Sequence, residues 1–243
     1  ALTVGSVLAL LRFSQLVSDP IWRVAEQLAE AQKAVAGTRR AARLLATEPR
    51  LVDGDGPAPP AGPLEVELRD VTFGYGTGHP VLDRVSLVVP AGRTLGIVGR
   101  TGSGKSTIGR LVARLWDVEG GAVLVGGADV RALRGTDLRR RIGVVTQEVE
   151  LFRATVRDNL TLFGAVAADD AALRDALDDV GLGPWLASLP RGLDQPLAGD
   201  DELSAGEGQL LAFARLLLAD PSIVILDEAS SRLDPDTEAR LAS

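Results

Sequence analysis

The chain is 243 residues long, 46% hydrophobic and 24% charged, which supports one large core or two small ones and excludes a disordered protein. A net charge of −7 argues against a nucleic-acid-binding surface, which needs an excess of cations to neutralise phosphates. The absence of cysteine excludes a disulfide framework and any thiolate metal site.

Methionine is also absent, and Ala1 opens inside an apolar run that reaches Val17, so the sequence reads as a portion of a longer polypeptide. No basic residue precedes Leu11, as a signal peptide would require, and Arg12 and Gln15 interrupt the run. A complete transmembrane helix needs about 20 apolar residues. Two alternatives stay open at this point: the end of a membrane helix or a buried soluble one. After Pro20 the apolar positions Ile21, Val24, Leu28, Ala31 and Val35 recur at helical spacing, which predicts an amphipathic helix to about Leu45.

The Gly- and Pro-rich stretch from Val52 to Pro63 reads as a linker. The expected organisation is therefore 1–48, a linker over 49–63, and a second domain over 64–243. Leu64 to Leu68 alternates as a half-buried strand, and Val81 to Val89 reads as its antiparallel neighbour. Thr94 to Val98 is an apolar, strand-like run that feeds Gly99-Arg100-Thr101-Gly102-Ser103-Gly104-Lys105-Ser106-Thr107. Strands are then predicted at Ala122–Val125 and Ile142–Val145, helices between Ala154 and Leu189, and a parallel strand covered on both faces at Ser222–Leu226. Strands alternating with helices around such a loop define an α/β class.

The loop at 99–107 is suited to phosphate. Its glycines let backbone N–H groups turn inward, Lys105 reaches the outer phosphates, and the Ser106 hydroxyl is a ligand for Mg²⁺, while the following helix aims its N-terminus at the anion. The chain carries only two lysines, Lys33 and Lys105, so an arginine-preferring sequence keeps a compact point charge here. At the end of the last strand, Asp227 suits the metal and the adjacent Glu228 suits a base for the attacking water. Ser204, in Leu203-Ser204-Ala205-Gly206-Glu207, reads locally as a helix cap. The arginines at 139–141 read as a solvated helix face, His79 as a turn residue, and Trp22, Trp116 and Trp185 as packing residues.

Taken together, these motifs resemble the nucleotide-binding domain of ATP-binding cassette (ABC) transporters of the exporter type. Phe73-Gly74-Tyr75 resembles the loop on which adenine stacks, residues 99–107 the phosphate loop, Gln147 the Q-loop glutamine, Leu203–Glu207 the signature, Ile223–Glu228 the Walker B strand, and Ser231–Asp234 the D-loop. The resemblance implies a P-loop NTPase core with an antiparallel β subdomain and a helical subdomain, preceded by a long N-terminal helix. ATP and Mg²⁺ are the implied cofactors. Tyr75, Gly99, Thr101, Gly102, Ser103, Gly104, Lys105, Ser106 and Thr107 would hold the nucleotide. Ser106, Gln147 and Asp227 would serve the metal, and Glu228, Gln147 and Lys105 the hydrolysis.

In such proteins two nucleotide-binding domains close head to tail, so Ser204 and Gly206 would reach the nucleotide of a second such domain, identical (homodimer) or different (heterodimer). The implied partners also include a transmembrane domain of the same polypeptide and the lipid membrane, with the ATP-binding domain on the cytoplasmic side and no nucleic acid. Residues 1–18 then resemble the cytoplasmic end of the last membrane helix, and Glu148–Phe152 would lie near the groove for its coupling helices. Ala205, Glu207 and Gly208 depart from the signature pattern, and the family's switch histidine would fall beyond Ser243. The resemblance therefore leads to an expectation of better ATP binding than hydrolysis. A catalytically weak half of a heterodimer and a soluble ABC-type ATPase are the alternatives.

Overall fold

The computed structural model describes residues 4–76, 78–198 and 203–228 and divides into two compact units, Ala1–Arg50 and Leu51–Ser243. The first unit is a single helix, α1 (Val4–Leu45), which runs unbroken through Pro20. The sequence reading expected a long N-terminal helix reaching about Leu45, and the helix ends there. One proline removes one intrahelical hydrogen bond, and the Ala-, Leu-, Gln- and Glu-rich flanks propagate the helix past it. Phe13, Leu16, Leu28 and Val35 are exposed along it. No helix among the described residues is long and apolar enough to cross a membrane.

The second unit opens with residues 51–63, which are ordered against it. The Gly54 N–H donates to Leu133 O (3.2 Å) and the Gly56 N–H to Ala132 O (2.9 Å). Asp53 Oδ1 accepts from the Gly135 N–H at 3.0 Å. The buried Arg114 guanidinium donates to Val52 O (2.6 Å), Leu133 O (3.1 Å) and Asp117 Oδ1 (3.1 Å). A side chain at position 54 has no room, since a Cβ there would stand 2.1 Å from Ala132 O.

Strands β1 (Val66–Phe73), β2 (Leu82–Val89), β3 (Gly120–Val125) and β4 (Ala128–Asp129) form an antiparallel sheet in the order β2-β1-β3-β4. Helix α2 (Lys105–Val112) packs between β2 and β3 in sequence, and a short 3-10 turn, Val130–Ala132, precedes α3 (Gly135–Arg141). Val66, Leu68, Val71 and Phe73 of β1 are buried. They join Leu82, Leu111, Val123 and Val125 in the first core. The pairing of β1 shifts register after Leu68, where Asp70 takes a positive φ of 47°.

Strand β5 (Ile142–Val145) leads to α4 (Val156–Thr161), α5 (Asp170–Asp179), α6 (Gly183–Ser188), a 3-10 turn at Gly192–Asp194, α7 (Ala205–Ala219) and β6 (Ile223–Leu226). Helices α4 to α7 enclose a second core around Leu160, Leu173, Leu177 and Leu211. β5 and β6 pair in parallel from Ile142↔Ile223 to Val145↔Leu226.

Two expectations need correction. Thr94–Val98 forms no strand: Leu95 and Ile97 are exposed, and Val98 is 94% exposed. β6 is covered on one face only, since Val224 and Leu226 are about half exposed while Ile223 and Ile225 pack against the first core. Both follow from a parallel sheet that has only two strands among the described residues, so one layer of apolar positions meets nothing.

Candidate nucleotide site

The loop before α2 is built on two left-handed glycines, Gly102 (φ 82°) and Gly104 (φ 91°). Gly104 is confined twice over, because a Cβ there would also stand 2.7 Å from Leu82 Cδ2. With the Ser103 N–H turned back to Arg100 O (3.1 Å), the loop closes into a concave run of backbone before α2 starts at Lys105. Lys105 folds over it, and Nζ donates to Gly99 O (2.9 Å) and Arg100 O (3.2 Å). Gly99, Thr101, Gly102 and Ser103 line its exposed side.

Ser106 Oγ donates to Asp227 Oδ1 at 2.9 Å, joining the first turn of α2 to the end of β6 across 121 positions of sequence. The ladder continues past β6, with the Asp227 N–H on Val145 O (2.9 Å). Gln147 and Asp227 thus leave the same, C-terminal, end of the parallel pair, each just beyond its strand. Glu228 follows with its backbone in the left-handed region (φ 53°) and its side chain exposed. Such a conformation costs a residue with a Cβ about 1–2 kcal/mol.

Tyr75 reaches the same helix. Its hydroxyl lies 3.2 Å from Thr107 Oγ1 and accepts from Arg110 Nη1 at 3.2 Å. Its ring stands edge-on to Phe73 (centroids 4.9 Å apart) and Trp116 (5.4 Å). Trp116 is therefore a packing residue, as expected, but it packs on Tyr75 and is 39% exposed, which sequence spacing gave no means of seeing. Trp185 packs against the second core, whereas the side chain of Trp22 lies outside the described residues. His79 is exposed in the β1–β2 turn. Arg139 and Arg140 are exposed on α3, and half-buried Arg141 donates to Pro59 O at 3.3 Å.

Ser204 and Gly206 belong to a separate group at the start of α7, with no hydrogen bond to the phosphate loop among the described residues. Ser204 caps the helix and Glu207 answers it. The Glu207 N–H donates to Ser204 Oγ (3.2 Å), and Glu207 Oε2 accepts from the Ser204 N–H (2.8 Å) and hydroxyl (2.7 Å). The departure at Glu207 thus completes a capping box on the very serine that the signature presents. The D-loop match at 231–234 lies outside the described residues.

A left-handed glycine loop running into a helix N-terminus, with its hydroxyl bound to a strand-end carboxylate, defines a phosphate-loop nucleotide-binding unit. Comparison with known proteins narrows this. Residues 82–231 match the ABC transporter family model. The chain is 41% identical over 242 residues to a multidrug efflux ATP-binding/permease protein of Mycobacterium bovis, covering 98% of this chain and 20% of that protein. It is 35% identical over 239 residues to an ATP-dependent lipid A-core flippase of Desulfotalea psychrophila, covering 97% and 41%. Among solved structures, a bacterial Atm1-family ABC exporter with ATP bound aligns with a TM-score of 0.79 and 32% identity over 87% of this chain and 37% of that one. The chain belongs to the ABC transporter family and carries its ATP-binding domain. It spans well under half the length of these relatives.

Proposed function

We propose that the chain is the ATP-hydrolysing part of an ABC exporter, coupling ATP-driven closure of paired domains to movement of a substrate across a membrane. The observation that carries this reading is the Ser106–Asp227 hydrogen bond at 2.9 Å, which brings loop, strand end and Glu228 to one place. Gly99–Thr107 wraps the phosphates with backbone N–H groups and Lys105 adds charge, while Tyr75 stacks on the base. Glu228 accepts a proton from the water that attacks the γ-phosphorus, water that Gln147 orients; the bond to the bridging oxygen breaks and ADP leaves. The oxygen pair of Ser106 and Asp227, with Gln147 following the same end of the paired strands, suits a hard divalent cation. Bound Mg²⁺ would offset the charge of the phosphates.

Residues 1–48 are proposed as the end of a membrane helix and its extension, 49–63 as the connection, and 64–243 as the nucleotide-binding domain. Similarity to fused ATP-binding/permease proteins across nearly the whole chain, α1 included, supports this division. The proposed partners are a second such domain, through Ser204 and Gly206, and the membrane-embedded part of the polypeptide. The proposed location is a cell membrane with this part on the cytoplasmic side. A second reading, a weakly hydrolysing half of a heterodimer, is favoured by the carboxylate of Glu207 holding the Ser204 hydroxyl.

Two substitutions test the first reading. Glu228→Gln should leave ATP affinity within about twofold and lower turnover by at least about a hundredfold, whereas Lys105→Ala should lose affinity as well. Wild-type turnover in Glu228→Gln would remove the proposed base.

A further inference from the structure

Between β5 and α4 the chain crosses residues 146–152 without regular secondary structure, and this segment contains Gln147. Its main chain is held by polar side chains that come from the two helices beside it. Gln209, in the second turn of α7 and 1% exposed, donates from Nε2 to Thr146 O at 3.3 Å. Arg215, further along α7, donates from both terminal nitrogens to Glu150 O at 3.3 and 3.4 Å. The same guanidinium donates from Nε to Asn159 O at 2.8 Å and from Nη2 to Asn159 Oδ1 at 3.2 Å. Asn159 of α4, fully buried, in turn accepts the Phe152 N–H at its Oδ1 and donates from Nδ2 to Phe152 O, both at 2.9 Å.

The carbonyls on either side of Gln147 are thus hung from one helix, while Gln147 itself stays exposed. Burial of an amide and a guanidinium is costly unless each finds partners, and α7 is otherwise rich in leucine, so packing alone would favour an apolar side chain at both positions. Burial also lowers the Arg215 pKa from its ordinary value, a measure of how far the cation is withdrawn from water. The polar groups are spent on a loop that lacks a ladder of its own.

We infer that Gln209 and Arg215 are positioning residues for Gln147: they clamp the loop at Thr146 and Glu150 to α7, so that Gln147 and Ser204, which begins the same helix, move as one body. This rests on the reading of Gln147 as a participant in ATP hydrolysis. A shift of α7 when a second copy engages its N-terminus would carry Gln147 with it, and hydrolysis at the chain's own phosphate loop would depend on contact made elsewhere.

The test is a double-mutant cycle in the full-length polypeptide that carries this chain. Gln209→Leu and Arg215→Lys are each made alone and together with Gln147→Ala. Turnover, KM and affinity for a fluorescent ATP analogue are measured for all. Arg215→Lys keeps the buried cation, so the pair of variants separates loss of the clamp from loss of the fold. The expected result is a fall in kcat of about tenfold for each single substitution, with analogue affinity within about twofold, and a further change below about twofold once Gln147 is alanine. Equal losses in both backgrounds, unchanged kcat in both single variants, or affinity falling in step with kcat would overturn the inference. So would a Gln147→Ala protein that turns over at the wild-type rate. Lys105→Ala, run in parallel, separates that outcome from failure of the ATPase reading, which falls only if Lys105→Ala also keeps full turnover.

Discussion

Tyr75 is fixed from three sides, by its hydroxyl against Thr107 and by the edges of Phe73 and Trp116 against its ring. A ring so held loses little entropy when a base stacks on it. Tyr75→Ala should weaken ATP binding by about 1–3 kcal/mol, read by titration calorimetry. Tyr75→Phe, which keeps the face and drops the hydroxyl contacts to Thr107 and the exposed Arg110, should stay within about 1 kcal/mol of wild type. An alanine variant with undiminished affinity would move the base elsewhere. The phosphate loop, Asp227 and Glu228 were legible in the sequence because each is a local pattern whose chemistry depends on spacing. Trp116 was not, because it meets Tyr75 only through the folding of β1 against α2.

Helices α4 and α5 are linked by a branched ion pair. The Arg157 guanidinium binds both oxygens of Asp170 at the start of α5, and its Nε donates to Asp194 Oδ1 at 3.1 Å in the 3-10 turn. The hydrogen bonds from Arg157 hold the Asp170 carboxyl below its ordinary pKa of 3.8. A carboxylate lowered in this way adds stability that is present above the ordinary value and is lost as pH falls through the native one. Arg157→Gln should therefore be slightly less stable than wild type at about pH 7, and the gap should close below about pH 4. Denaturant unfolding across that range checks it, and a gap that stays constant would mean the pair is not the source. At this scale the loop clamp had no sequence signature at all, since Gln209, Arg215 and Asn159 bind main-chain carbonyls, which every residue has.

For the molecule as a whole, the segment before β1 matters more than its composition suggests. Glycine and proline mark residues 52–63 as a flexible connection, and nothing local says otherwise. The structure ties them down with partners as far as 82 positions away. A chain beginning at Leu51 should melt close to the whole protein, while one beginning at Leu64 should lose the Val52, Asp53, Gly54 and Gly56 bonds and strand Arg114 without its best acceptor. Removing a few such bonds costs about 2–3 kcal/mol, or roughly 4–12 °C for a unit of this size. Gly54→Ala should produce much of that loss alone, because its methyl group would occupy the space of the Ala132 carbonyl. The strands around 66–73, 82–89, 120–125, 142–145 and 223–226 were readable as apolar patterns and follow one another in the expected order. The apolar run at 94–98 misled because hydrophobicity reports a wish for burial and not the presence of a neighbouring strand.

The left-handed backbone at Glu228 has a consequence for the history of the sequence. Glycine would sit there without the steric penalty, and asparagine with less of it, so mutation and selection for stability alone would drain glutamate from this position. A lineage released from splitting ATP would collect such changes early. As the proposed base, Glu228 would be a running record of use, and sequences in which it has become glycine or asparagine should be sought first among transporters whose paired sites have come to differ.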